Sequence, residues 1–363
     1  MKIDISLGGT PPRISEIFIG EDVLDLISGR LHAALGGRSA FWVWDEAVWS
    51  LWGRKAADLG WTAEGGQVAL FTASEPNKRL GSVEFLARQL VNAGANRDSA
   101  IIAVGGGVTG DIAGFLASIY MRGIPCFQVP TTLLAMVDSS IGGKTGADLP
   151  EGKNLLGTFH QPLQVYIDPR FITTLPDEEL RQGMAEVIKS AMIGDEVLWK
   201  FVENNSGAIK GRDPEALLRI ISASCLLKSR IVQADAEESG HRRVLNLGHT
   251  TGHALEKLTG FKLRHGDCVA TGMVAAATLS HRLGKMQLED VRRLENICRL
   301  WEMPVRIPAS IDSQAIMDAI RTDKKRIGEK LHFILPVRIG KVIEYTSIDS
   351  GAFSKILKSL GAG

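Results

Sequence analysis

The chain has 363 residues, 45% hydrophobic and 23% charged, with 42 Lys and Arg against 41 Asp and Glu for a formal net charge of +1. That apolar content excludes a disordered chain, and the near-neutral balance argues against nucleic acid as a partner while leaving room for local basic pockets that hold a small anion. The opening MKIDISLGGTPPRI lacks the apolar segment of a secretory leader, and no apolar run approaches the roughly 20 residues of a membrane helix, so a cytoplasmic protein with no membrane contact is expected.

In chain order, short apolar runs first alternate with helical patterns. Residues 41–44 and 68–71 read as strands, 81–93 as a helix, and 100–104 as a strand running into Gly105-Gly106-Gly107. A helix over about 111–120 follows, then strands at 126–129 and 164–167. Strands alternating with helices predict crossover connections and a parallel sheet. From Pro176 onward, apolar residues three or four apart dominate residues 178–203, 214–234, 249–258, 266–283 and 288–300, which is helical periodicity. Only 330–336 and 340–344 look extended near the end. The fold class is therefore an α/β domain over residues 1–175 followed by a mainly α-helical domain over 176–363, with a cleft between them as the expected place for a small-molecule site. Cys126, Cys225, Cys268 and Cys298 lie far apart with no C-x-x-C pair, which reads as buried thiols in a reducing compartment.

Four segments carry candidate chemistry. AIIAVGGGVTGD (100–111) is strand, glycine turn and helix start, where backbone N–H groups at a helix N-terminus are free to take a phosphate. Its spacing departs from G-x-G-x-x-G, and a glycine connection without a ligand is an equal reading of the run taken alone. VDSSIGGKTG (137–146) sets a carboxylate, two hydroxyls, a glycine pair and Lys144 close together, with Gly152-Lys153-Asn154 soon after. Two such lysine–glycine clusters favour an anion site over a polar surface loop. In GMAEVIK, Glu186 and Lys189 share one helix face, and an isolated pair of this kind reads as a solvated ion pair. In RRVLNLGHTTGH (242–253), His249 and His253 fall on one helical stripe with Glu256, and LRHGD adds His265. Local spacing pairs His249 with His253 as metal ligands, and three histidines so near one another favour metal or acid–base work over structural roles.

Taken together, GGGVTGDIAGF, YMRGIPCFQVPTTLLAMVDSSIGGKTG, LPEGKNLLGTFHQP, GMAEVIK, LNLGHTTGHALE, HGDCVATGM and DKK resemble the 3-dehydroquinate synthase family. They run in family order from residue 105 to residue 325, with weaker matches upstream. The resemblance implies a Rossmann-like NAD-binding domain and a helical metal- and substrate-binding domain. It implies Zn²⁺ or Co²⁺ on Glu186, His249 and His265, with His253 beside it as a polar or proton-handling group, in place of the pairing that spacing favoured. Around the substrate the matching positions are Arg122, Asp138, Lys144, Asn154, Lys189, Lys228, Arg242, Asn246 and one lysine of DKK (323–325). Around NAD they are Asp45, Glu75, Lys78, Gly106, Gly107, Val108, Asp111, Thr131, Thr132, Lys153 and Thr174, with Lys144 again.

The implied reaction takes 3-deoxy-D-arabino-heptulosonate 7-phosphate to 3-dehydroquinate and phosphate, by transient oxidation, phosphate elimination, re-reduction and internal aldol closure. The implied assembly is a homodimer. Two positions depart from the family: Ala147-Asp148 stands where an apolar residue and Asn are usual, and His160 where Tyr is common. The competing readings are a sister cyclase making an inosose or valiolone, a metal-dependent alcohol dehydrogenase of the same architecture, and an inactive homologue that binds a ligand or partner. The intact DSSIGGK string disfavours the sister cyclase, NLGHTTGH and GKN disfavour the dehydrogenase, and the filling of every matched metal and lysine position disfavours the inactive homologue.

Overall fold

The apolar run at residues 100–104 has no polar face, so both sides of it must be covered. In the computed structural model, which describes residues 1–6, 14–61, 67–324, 333–346 and 348–363, that run lies well inside a seven-stranded sheet. The sheet unit is built from β1 (Lys2–Ser6), β2 (Ile14–Ile19), α1 (Val23–Leu35), β3 (Ser39–Asp45), α2 (Glu46–Asp58), β4 (Gln67–Phe71), α3 (Leu80–Asn92), β5 (Ser99–Gly105), α4 (Gly107–Ile119) and β6 (Cys126–Pro130). The hairpin β7 (Lys144–Leu149) and β8 (Gly152–Phe159) and then β9 (Gln164–Ile167) complete it. The helical unit opens with α5 (Asp177–Gly194), α6 (Glu196–Asn204) and α7 (Ser206–Lys210). After α8 (Pro214–Ala234) come α9 (His249–Leu258), α10 (His265–Arg282), α11 (Leu288–Leu300), α12 (Ser313–Lys324), the hairpin β10 (Phe333–Arg338) and β11 (Lys341–Tyr345), and α13 (Ser350–Ser359).

Two compact units result: residues 1–176 with 212–237, and residues 177–211 with 238–363. Helix α8 thus packs with the sheet. Its Cys225 thiol reaches the Met136 carbonyl at 3.3 Å.

The sheet order is β1-β2-β9-β6-β5-β3-β4, antiparallel only at β1–β2 and parallel elsewhere. The chain leaves β3 toward one edge, through β4, and leaves β5 toward the other, through β6. Neighbouring strands whose connections diverge open a crevice at their carboxyl ends, the usual ligand position in such sheets. Alternation along β3 fixes what that end rests on. Trp42 and Trp44 face one way against Trp61, Trp42 stacked at a ring-centroid distance of 5.7 Å and Trp44 tilted at 5.8 Å. Phe41 and Val43 face the other way into a core shared with Ile112, Leu116 and Leu86. Helix α4 starts at Gly107, inside the glycine run and earlier than the apolar pattern from Asp111 predicts, because glycine and threonine mask helical periodicity.

In the helical unit, α9 and α10 cross at unusually close range. A Cβ on Gly272 would lie 1.9 Å from the Gly248 carbonyl oxygen, and one on Gly252 would meet the Cys268 carbonyl at 3.1 Å. Gly248 itself adopts φ 80°, a left-handed conformation costly for other residues. Ordinary side chains here would hold the helices apart.

Two outcomes follow from this packing. Gly272→Ala is expected to destabilise the protein by about 3 kcal/mol, the upper end for overpacking, read as a lowered urea midpoint. All four cysteines are buried, and burial pushes Cys126, Cys225 and Cys298 to about 12. A thiol reagent at pH 8 should therefore modify none in the native protein and all four after denaturation.

Candidate active site

In the sheet unit, most of the residues matched to NAD follow the carboxyl ends of β3 to β6, while Lys144 and Lys153 lie on the β7–β8 hairpin and Thr174 after β9. Asp45 ends β3 and caps α2, its Oδ1 accepting the Ala47 N–H at 2.9 Å. Gly106, Gly107, Val108 and Asp111 form the start of α4, and no side chain caps that helix, so its first-turn N–H groups keep their donor capacity. Thr131 and Thr132 follow β6. The Thr131 N–H bonds to the Gly105 carbonyl at 2.9 Å, joining this loop to the glycine turn. Thr174 accepts the Trp52 indole N–H at 2.9 Å. These groups offer hydroxyls, carboxylates and free amides at a strand switch point, a donor and acceptor set that fits a dinucleotide.

An ion network stands beside them. Lys78 Nζ lies 2.6 Å from Asp111 Oδ2 and donates to Asn154 Oδ1 at 2.6 Å, and Lys153 pairs with Glu75 at 2.5 Å. Burial disfavours the Lys78 charge, but Asp111, with Glu75 and Asp148, raises the amine above its ordinary value. Both departures from the family pattern have local duties here. Asp148 accepts the Asn154 N–H at 2.7 Å while its own N–H bonds to the Lys78 carbonyl at 2.6 Å. His160 places Nε2 3.0 Å from the Ile124 carbonyl.

Four residues matched to the substrate lie nearby in the chain, and a fifth comes from α8. Asp138 sits on a π-helical turn, Ala135–Ser139, an irregularity common at functional positions. Lys228, from α8, contacts the Asp138 carbonyl at 2.6 Å and its carboxylate at 2.5 Å. Arg122 and Asn154 hold left-handed backbone conformations, φ 71° and 53°, and Lys144 and Arg122 are exposed.

In the helical unit, Glu186 and Lys189 are not the solvated pair that their spacing suggests. They retain 1% and 2% of their surface and pair through Glu186 Oε2, because α5 is buried on nearly every side. His249 and His265 are the first residues of α9 and α10, and the glycine crossing brings both to the same carboxylate. Candidate ligand atoms of Glu186, His249 and His265 all lie within 4.8 Å of one another. The Nε2 atoms stand 3.8 Å (His249) and 3.3 Å (His265) from Glu186 Oε1. His253 is outside that group and exposed, its ring centroid 5.2 Å from that of His249. A helical i, i+4 spacing puts two rings side by side, but the third partner comes from another helix.

Each group feels the others. Burial works against the Glu186 charge, yet Lys189 and the two imidazoles hold its carboxyl well below the usual range. Burial, then Lys189, pushes His249 down to about 3. Burial also opposes charge on His265, but hydrogen bonds to Glu186 and Glu256 outweigh it and raise the ring to about 9. Arg242 is buried, and Asn246 Nδ2 donates to Glu238 Oε1 at 2.8 Å. Sequence reasoning gave Glu238 no part. It lies in a turn of positive φ with no periodic signal to mark it. Lys325 lies outside the described residues, as does the side chain of Lys324.

A nucleotide-type crevice in one unit and a buried carboxylate with two imidazoles in the other define a class of protein, a dinucleotide-dependent enzyme with a metal centre. Comparisons narrow that class. The family model described as 3-dehydroquinate synthase N-terminal matches residues 68–182, and that described as 3-dehydroquinate synthase C-terminal matches residues 183–326. A 3-dehydroquinate synthase of Symbiobacterium thermophilum is 44% identical over 330 residues, 89% of this chain and 91% of the relative. That of Thermodesulfovibrio yellowstonii is 40% identical over 359 residues, 98% and 99% of the two chains. Among solved structures, 2-epi-5-epi-valiolone synthase from Streptomyces hygroscopicus subsp. jinggangensis, with NAD⁺ and Zn²⁺ bound, superposes with a TM-score of 0.87 at 28% identity, over 95% of this chain and 96% of that one. 2-Deoxy-scyllo-inosose synthase, complexed with carbaglucose-6-phosphate, NAD⁺ and Co²⁺, gives 0.87 at 27% identity over 99% and 100%. The chain belongs to the 3-dehydroquinate synthase family.

The Lys78–Asp111 pair is open to a double-variant cycle. Lys78→Met should cost about 3 kcal/mol by leaving the Asp111 carboxylate without its cation, and adding Asp111→Leu should restore most of that loss in denaturant unfolding.

Proposed function

We propose that the protein converts 3-deoxy-D-arabino-heptulosonate 7-phosphate to 3-dehydroquinate and phosphate, using NAD catalytically and a divalent ion, Zn²⁺ or Co²⁺. The observation that carries this reading is the meeting of Glu186, His249 and His265 around one point, in a chain whose family is 3-dehydroquinate synthase. A carboxylate and two imidazoles suit a catalytic divalent site with an open position. Bound there, such an ion supplies Lewis acidity toward adjacent substrate oxygens, and NAD bound at the crevice accepts and returns one hydride.

The chain's own residues account for the rest. The substrate carries a carboxylate and a phosphate, and Arg122, Lys144, Lys189, Lys228 and Arg242 supply cations for charge-assisted bonds to them. Asn154 and Asn246 add neutral polar contacts. Asp138 holds the Lys228 ammonium in place at 2.5 Å. Lys189, already beside Glu186, offsets negative charge that develops on substrate oxygen without reorganising. His253 is exposed while its neighbours are not, which suits it to exchange protons between substrate and water. At the dinucleotide side, Asp45 would take a ribose hydroxyl and the uncapped start of α4 the pyrophosphate, a reading supported by their places at the ends of β3 and β5. We place the enzyme in the cytoplasm as a homodimer. Among the described residues, no helix is long and apolar enough to cross a membrane.

Incubation with the heptulosonate phosphate, trace NAD⁺ and Zn²⁺ should release phosphate and 3-dehydroquinate in equal amounts, without net NADH and not after chelation. Turnover only with glucose 6-phosphate or sedoheptulose 7-phosphate would instead make it a sister cyclase. His265→Ala should lower kcat by more than about 100-fold, beyond the 10–100-fold typical of losing a partner that only supports a ligand. Near-normal turnover in that variant would overturn the assignment of His265.

A further inference from the structure

His249 and His265 are held in a matching way. Nδ1 of His249 lies 3.2 Å from the Leu247 carbonyl oxygen, and Nδ1 of His265 lies 2.8 Å from Glu256 Oε1. A carbonyl and a carboxylate only accept hydrogen bonds, so each Nδ1 must carry the hydrogen. Each ring therefore turns Nε2 toward Glu186 Oε1. The two supports differ in charge. His249 leans on a neutral carbonyl and His265 on a side chain that is a carboxylate.

Glu256 is no surface carboxylate that happens to reach a histidine. It retains 2% of its surface and lies on α9, two turns after His249, where the helix faces α10. A buried carboxylate is costly and persists where hydrogen bonds and charge repay it. The backbone beside His265 is fixed as well. The Gly266 N–H donates to Gln182 Oε1 at 2.6 Å, and a Cβ on Gly266 would lie 2.8 Å from the Gln182 carbonyl oxygen. Ring and main chain are thus pinned from different helices.

We propose that Glu256 is a positioning residue for the metal centre: it fixes the Nδ1–H tautomer and orientation of His265 and increases the basicity of its Nε2. The proposal rests on the reading of Glu186, His249 and His265 as metal ligands. A carboxylate behind a ligand imidazole commonly contributes 10–100-fold in metal affinity. Loss of the charge alone should then cost about 10-fold, and loss of the side chain about 100-fold.

The test uses substrate-free protein and reads metal binding. The Co²⁺ and Zn²⁺ dissociation constants of wild type, Glu256→Gln and Glu256→Ala would be measured by chelator competition, with the visible spectrum of the Co²⁺ forms and circular dichroism as a check on folding. Weakened binding in Gln, greater weakening in Ala, and a shifted Co²⁺ d–d band in both would support the role. A purely structural role would leave the band unmoved in whichever variant folds. Wild-type affinity and an unchanged band in Glu256→Gln would overturn the proposal and leave the ligand assignment standing. Failure of the wild type to bind either ion would instead defeat the ligand assignment, and the proposal with it.

Discussion

The helical unit depends on how closely α9 and α10 approach. A Gly272 Cβ would sit 1.9 Å from the Gly248 oxygen, so no side chain is tolerated at that contact without moving the backbone. The two helices begin at His249 and His265, and bringing their first turns together is what delivers both imidazoles to one carboxylate. A larger residue at the crossing would push the two helices, and with them their first-turn histidines, apart. The same packing also buries Glu256 against His265. The glycines therefore set how closely the first turns of the two helices approach.

The second constraint is charge in a confined space. Glu186 is almost completely buried, and its negative charge survives because Lys189 and the imidazoles surround it. The sheet unit uses the same device at Lys78 and Asp111, where a partly enclosed ion pair anchors the start of α4 to the loop after β4. In both places a buried cationic side chain is held by an opposite charge from its own unit. Preorganised charge of this kind stabilises a developing anion without paying for reorientation at each turnover.

The alternation of apolar strands and helical stretches made the parallel sheet legible, since a strand buried on both faces reads as an unbroken apolar run. Strands 41–44, 68–71, 100–104, 126–129 and 164–167 all lie within strands of the structure. Less legible were the polar, glycine-rich pieces. The β7–β8 hairpin has a sequence whose chemistry reads as a loop, and α4 starts four residues before its apolar pattern does. Glu186 and Lys189 gave the signal of an exposed pair because i, i+3 spacing reports only that two side chains share a helix face. Whether that face meets water or other helices is a long-range fact.

By itself, then, the sequence determined the alternation of strands and helices between residues 68 and 129, the helical character of most of the later chain, the family, and the residue types available for metal, phosphate and carboxylate. Local spacing and long rare strings encode those things directly. The resemblance also named Glu186, His249 and His265 together, but tertiary structure decided how they meet and what surrounds them. The pairing of His249 with His265, the burial of Glu186 and the carboxylate of Glu256 behind an imidazole all arise where separate helices cross. A helix's own periodicity cannot specify what lies opposite its buried face, because that depends on the packing of the other elements.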